Sequence, residues 1–223
     1  MGSVIGAILP LAIGIAISPI PIIAAILMLL SPKARGTSVG FLLGWIVGIL
    51  VAVTIFTLLS SVLPDGGSDE SKPIHGIIQI VLGAGLLLLA LRQWRSRPEP
   101  GADPALPKWM SAIDTMNAGK GFGLGFLLAA VNPKNLLLGA GAGVTIGSAG
   151  LSVGSIAIVI GVFTVIAAAS VAIPVIAYLV FPKRMSAPLE SLRKWLVHNN
   201  ATVMAVLLLV IGFVLIGKGI ASF

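Results

Sequence analysis

The sequence predicts an all-α integral membrane protein of six transmembrane helices, arranged as two inverted three-helix repeats whose leading helices, the first and fourth, are broken at proline motifs. Three observations predict it. Of 223 residues, 57% are hydrophobic and only 9% charged, and the mean hydropathy is +1.12, values foreign to a soluble domain. Long apolar stretches cover residues 4–30, 39–63, 74–91, 122–142, 151–181 and 201–220, each able to cross a hydrocarbon core of roughly 30 Å, which takes about 20 helical residues. Two of these stretches are interrupted, at Ser18-Pro19-Ile20-Pro21 and at Asn132-Pro133-Lys134-Asn135, and each interruption opens one half of the chain.

The first stretch lacks a basic leader and runs past the length of a signal-peptide core, so it reads as a spanning helix. Its prolines remove backbone N–H groups and free carbonyls that lipid cannot satisfy, so such a break survives only where it lines a protein cavity. The second stretch carries Gly40, Gly44 and Gly48 at four-residue spacing, a flat stripe for a neighbouring backbone and one surface for a homodimer. Acidic Asp65, Asp69 and Glu70 follow it in a loop. The third stretch carries His75 at its start and is followed by Arg92, after which Pro98, Pro100, Pro104 and Pro107 mark a punctuated link. Within that link Trp109, Met110, Ile113 and Met116 share one helical face, as in a short interfacial helix.

The fourth stretch holds the second break, flanked by Gly119, Gly121, Gly123 and Gly125 before it and Gly139, Gly141 and Gly143 after it. These glycines fit no dinucleotide or phosphate-loop spacing and read as close packing with hinge freedom. Past the fifth stretch, Leu189, Leu192, Trp195 and Leu196 beside Arg193 and Lys194 suggest a second interfacial segment, with His198 opening the last helix. The resulting division is one membrane domain: a first repeat over residues 1–92, a cytoplasmic linker over 93–118 and a second repeat over 119–223.

Charge placement gives the orientation. Assigning loops alternately to two sides collects Lys33, Arg35, Arg92, Arg95, Arg97, Lys108, Lys120, Lys183, Arg184, Arg193 and Lys194 on one side, with only Lys72 and Lys218 opposite. That bias makes the long link cytoplasmic and places both termini outside a plasma membrane. The net charge of +7 therefore reads as topology and anionic-lipid contact rather than nucleic-acid binding. Three crossings per half make the second half enter from the opposite face, so both breaks reach comparable depth. Corresponding breaks in two halves point to a transporter's substrate site near the midplane.

Lys134 is the one formal charge well inside a predicted span, and no Asp or Glu lies in any of the six stretches. A charge there is costly enough to face a cavity or a partner. A cation amid freed amides favours sulfate, phosphate or carboxylate. The competing reading is that Lys134 snorkels to an interface and anchors its helix. Asn132, Asn135 and Ser18 are the side chains placed to cap the freed backbone. Thr54, Gln79, Ser155, Thr164 and Ser170 are further polar candidates, although membrane hydroxyls usually bond their own helix.

Ser-Pro-x-Pro in the first span, Ser31-Pro32-Lys33-Ala34-Arg35-Gly36 after it, Gly44-Trp45 in the second and Val131-Asn132-Pro133-Lys134-Asn135 in the fourth together resemble the GAP family. These are the glycopeptidolipid- and sulfolipid-addressing proteins of actinobacteria, within the lysine-exporter superfamily, and the resemblance spans most of the chain. It implies export of a polar or anionic glycolipid across the plasma membrane, in concert with a larger lipid transporter and lipid-synthesis enzymes. By motif it assigns Ser18, Pro19, Pro21, Asn132, Pro133, Lys134 and Asn135 to the substrate site.

The alternative within that superfamily is export of a small solute, an amino acid or a cation; the missing intramembrane carboxylate weakens a cation route. Thiol redox relays are excluded because the chain has no cysteine. Enzymatic catalysis finds no buried acid–base pair, and His75 and His198 fall at opposite membrane faces, too far apart for a shared metal. No nucleotide or other cofactor motif is present.

Overall fold

A computed structural model of the chain describes residues 1–61, 72–97 and 108–223; Asp65, Asp69, Glu70, the four link prolines and the side chain of Trp109 lie outside the described residues. Eight α-helices follow in order among them: α1 Gly2–Ala16, α2 Pro19–Leu29, α3 Ala34–Ser61, α4 Lys72–Arg95, α5 Ala118–Ala130, α6 Pro133–Gly147, α7 Val153–Val180 and α8 Pro182–Ile220. A 3-10 helix, Lys108–Thr115, precedes α5, and the described residues contain no strand. Helices α3, α4, α7 and α8 are each long and apolar enough to cross a membrane. The pairs α1–α2 and α5–α6 meet the same test jointly, bent by 51° and 62° at their breaks. The chain is thus a multi-pass membrane protein of four to six spans, six where each bent pair is one crossing.

Local chemistry dictates both bends. A proline forces its predecessor out of the helical region, and Ser18 (ψ 108°) and Asn132 (ψ 123°) are extended accordingly. Pro19 and Pro133 then occupy first-turn positions of α2 and α6, where a missing N–H costs nothing. Prolines within a continuing helix, such as Pro10 in α1 and Pro174 in α7, lack that escape into an extended residue and leave the helix unbroken.

Two glycine seams hold the bundle together. A side-chain carbon at Gly40 or Gly44 of α3 would run into the carbonyls of Ala118 and Phe122 on α5, and one at Gly121 or Gly125 into those of Thr37 and Phe41. The expected stripe is therefore filled by α5 and is closed to the self-association it suggested. The second seam joins α4 to α8, with Gly76 against Gly219 and Gly83 against Gly212. Each seam pairs a helix of the first half with one of the second. In lipid, where apolar burial between helices gains little, such close backbone approach is what drives association. Around the seams, Phe41 stacks on Trp45 at 6.5 Å, both fully buried, and α7 closes the core with Phe163, Ala167 and Val171.

Two segments differ from expectation. The 3-10 helix of the link buries Met110 and Ile113 in the core and packs against α2, so its apolar face serves the bundle rather than a lipid surface. The segment around Pro188 is no separate surface helix but the first part of the 39-residue α8. That helix is roughly 58 Å long, nearly twice the hydrocarbon thickness of about 30 Å. Leu189 and Leu196 are buried in it, Leu192 and Trp195 are exposed, and Arg193 pairs with Glu190 at 2.6 Å.

Candidate functional site

Both proline breaks open onto one cavity of about 380 Å³. Ser18 and Ile20 line it from the first break and Asn132, Pro133 and Lys134 from the second. Leu89, Arg92, Gln93 and Ser96 form the α4 wall, and Asn200, Met204 and Leu208 the α8 wall. The volume lies within the roughly 300–1,000 Å³ of small-molecule pockets. Among the described residues its charged lining is two cations, Lys134 and Arg92, and no carboxylate. One end is polar, with Arg92, Gln93 and Ser96 where α4 terminates; the walls between are apolar.

The predicted site residues divide into two groups. Ser18, Asn132, Pro133 and Lys134 face the cavity together. Pro19, Pro21 and Asn135 are buried behind it and shape the breaks. Asn132 accepts the backbone N–H of Lys134 at 3.0 Å and so caps α6, as expected. Asn135 donates at 2.9 Å to the carbonyl of Leu128, four residues before the break. The Oδ1 atom of Asn135 is buried with no hydrogen-bond partner among the described residues. Ser18, by contrast, makes no side-chain cap on α2.

Lys134 neither snorkels nor stands free. It is 5% exposed, and its Nζ donates at 2.9 Å to the carbonyl of Gly14, on α1 in the opposite half of the chain. Gly14 stands four residues before Ser18, the position that Leu128 holds relative to Asn132. A side-chain carbon at Gly14 would meet the terminal methyl groups of Leu138 of α6, at 3.1 Å, and of Ile211 of α8, which would have to shift to admit it.

A second lysine repeats the pattern: Lys218 of α8 donates to the carbonyl of Ala7. Ala7 and Gly14 are seven residues apart and share a face of α1. Of the other polar candidates, Thr164 bonds the carbonyl of Ile160 in its own helix at 2.8 Å, whereas Ser170 Oγ and Gln79 Oε1 are buried without a hydrogen-bond partner among the described residues.

Arg92, Gln93, Ser96 and Asn200 were not among the predicted site residues. The first three lie where α4 runs into the basic link, and the charge of Arg92 reads in the sequence as topology. Asn200 closes the polar run His198-Asn199-Asn200 at the head of an apolar stretch, a signal visible in sequence, and its Oδ1 is buried with no hydrogen-bond partner among the described residues. Apolar grooves flank α8 on both sides. Pro10 and Ile13 of α1 and Ile17 just after it line one with Val203 and Leu207; Leu87, Leu91 and Trp94 of α4 line the other with Leu209 and Phe213.

No curated protein and no solved structure matches the chain. The family profile described as Sap, sulfolipid-1-addressing protein (SfLAP), matches residues 8–221, a range that takes in both breaks, both seams and every residue lining the cavity. The chain belongs to the sulfolipid-1-addressing protein family.

Proposed function

We propose that the chain carries a polar or anionic lipid, glycolipids included, across the plasma membrane, holding the headgroup in the cavity between the two breaks while the acyl chains stay in the bilayer. The observation that carries this reading is a cavity lined by both breaks, furnished among the described residues with two cations and no carboxylate, and set beside apolar grooves along α8. A cavity lined by cations selects anions, and intramembrane charge marks a substrate path. The family's name refers to the addressing of a sulfolipid, an anionic lipid, and agrees with that selection.

Alternating access needs two halves able to rock against each other, and the packing supports an inverted repeat. Helix α2 packs on α8 as α6 packs on α4, and α1 packs on α7 as α5 packs on α3. Exchanging the halves maps these four contacts onto one another, as a pseudo-twofold axis in the membrane plane would, whereas the contacts of α1 with α6 and of α7 with α8 have no comparable counterpart. The basic side of the bundle faces the cytoplasm, so the cavity's polar end at Arg92 and Ser96 admits substrate from inside and both termini lie outside. Membership of the lysine-exporter superfamily and cooperation with a larger lipid transporter and lipid-synthesis enzymes belong to this reading.

The test compares surface lipids of cells lacking the protein with cells re-expressing the native chain or Lys134→Ala. The expected result is loss of one anionic or sugar-bearing surface lipid, restored by the native chain and not by the variant, at equal membrane levels of both proteins. Unchanged lipids with altered amino-acid or cation efflux would favour the small-solute alternative.

A further inference from the structure

Aligning the two breaks at their prolines places Gly14 opposite Leu128, Ser18 opposite Asn132, Ile20 opposite Lys134 and Pro21 opposite Asn135. In both halves the carbonyl four residues before the break loses its helical donor. The second half repairs the loss within itself, because Asn135 reaches back seven residues to Leu128. The first half has proline at the corresponding place, and Pro21 cannot donate. Its freed carbonyl, that of the buried Gly14, takes a donor from across the molecule, and that donor is Lys134, a cation of the cavity.

Resting on the carrier reading, we infer that Lys134 is a trans-cap that serves two acceptors in turn: the Gly14 carbonyl when the cavity is empty and the anionic group of the headgroup when it is filled. A formal anion is a stronger acceptor for an ammonium than a neutral carbonyl, so the entering headgroup draws Lys134 off Gly14. The carbonyl is left without its partner in a segment that lipid cannot solvate, and the end of α1 must rearrange to satisfy it. Lys218 still pins α1 at Ala7, and Pro10 lies between the two tethers where its own missing N–H weakens the helix. Headgroup binding is thereby coupled to movement of the part of α1 beyond Pro10. The second break, capped within its own half, stays rigid.

The asymmetry supplies the test. Pro21→Asn introduces into the first break the residue type that caps the second over the same seven-residue reach, so Gly14 gains a donor of its own and Lys134 is released to the cavity. Binding is measured on the full chain in maltoside micelles with dihexanoylphosphatidic acid, using dihexanoylphosphatidylcholine as the zwitterionic control and inorganic phosphate as the free anion. The native chain is expected to prefer phosphatidic acid. P21N should bind it about tenfold tighter, the factor that about 1.4 kcal/mol of removed competition corresponds to. K134Q should melt at lower temperature with binding lost, and P21N/K134Q should recover the melting temperature without recovering binding.

Unchanged or weaker binding by P21N, with a native chain that does bind, overturns the trans-cap and leaves the site standing. A double variant P21N/K134Q that melts no higher than K134Q overturns it equally. No preference for phosphatidic acid in the native chain removes the site itself and the trans-cap with it. Inorganic phosphate binding as tightly as the lipid would overturn the assignment of the anion to a lipid headgroup.

Discussion

Asn132 and Asn135 both repair the second break, but they do so at different cost when removed. Asn135 is 2% exposed and supplies the hydrogen bond that Leu128 lost to the break, so Asn135→Ala leaves a carbonyl unpaired in a dry interior, which costs about 1–3 kcal/mol. Asn132 lines the cavity and caps a first-turn N–H, and Asn132→Ala should cost about 1 kcal/mol. Thermal unfolding in detergent should therefore place N135A below N132A; the opposite order would mean that the cap, not the reach-back, holds the break. At this scale the sequence was readable where chemistry is local. Pro19 and Pro133 announce their breaks, and Asn132 announces its cap. The partner of Lys134 was not readable, because Gly14 is 120 residues away and the register between halves leaves no trace in local pattern.

Among the elements, the α3–α5 seam carries the sharpest demand on sequence. At Gly44 the obstruction is the backbone of Phe122, which cannot rotate aside as a side chain can, so Gly44→Ala must push two helices apart. Gly123, on the same α5, meets nothing within 4 Å, and Gly123→Ala should stabilise its helix by about 0.5–1 kcal/mol through propensity alone. Monodispersity and melting temperature of the two purified variants distinguish them: G44A is expected to aggregate or melt early and G123A to behave at least as well as the native chain. Equal behaviour would dissolve the seam as an energetic feature. The glycine stripe of α3 was legible from its four-residue spacing, but its partner was not, since a flat face fits another copy as well as α5. The link and the start of α8 misled for a related reason. Apolar periodicity identifies a buried face without saying whether lipid or protein buries it, and Met110 and Ile113 found α2.

For the whole molecule, the arrangement of contacts ties the two halves to each other more than to themselves. Both seams cross between halves, both lysine tethers run from the second half to α1, and the cavity takes one wall from each break. A chain built this way cannot be opened at one break without the other half responding, which is the mechanical content of the carrier reading. The six apolar stretches and the paired breaks were visible in sequence because their causes, hydrophobic length and proline, are written residue by residue. Arg92 and Asn200 entered the site only through the fold, which brings the end of α4 and the middle of α8 against the breaks.

The central claim is that both breaks face a single binding chamber. The native chain has no cysteine, so single cysteines at Ser18 and Asn132 report without interference. Their modification by a small methanethiosulfonate, applied from the side of Ser96 and titrated against dihexanoylphosphatidic acid, measures the claim directly. Both positions are expected to react and to become protected together, with the same concentration dependence. Protection of one with the other unaffected, or no reaction at either, would contradict it.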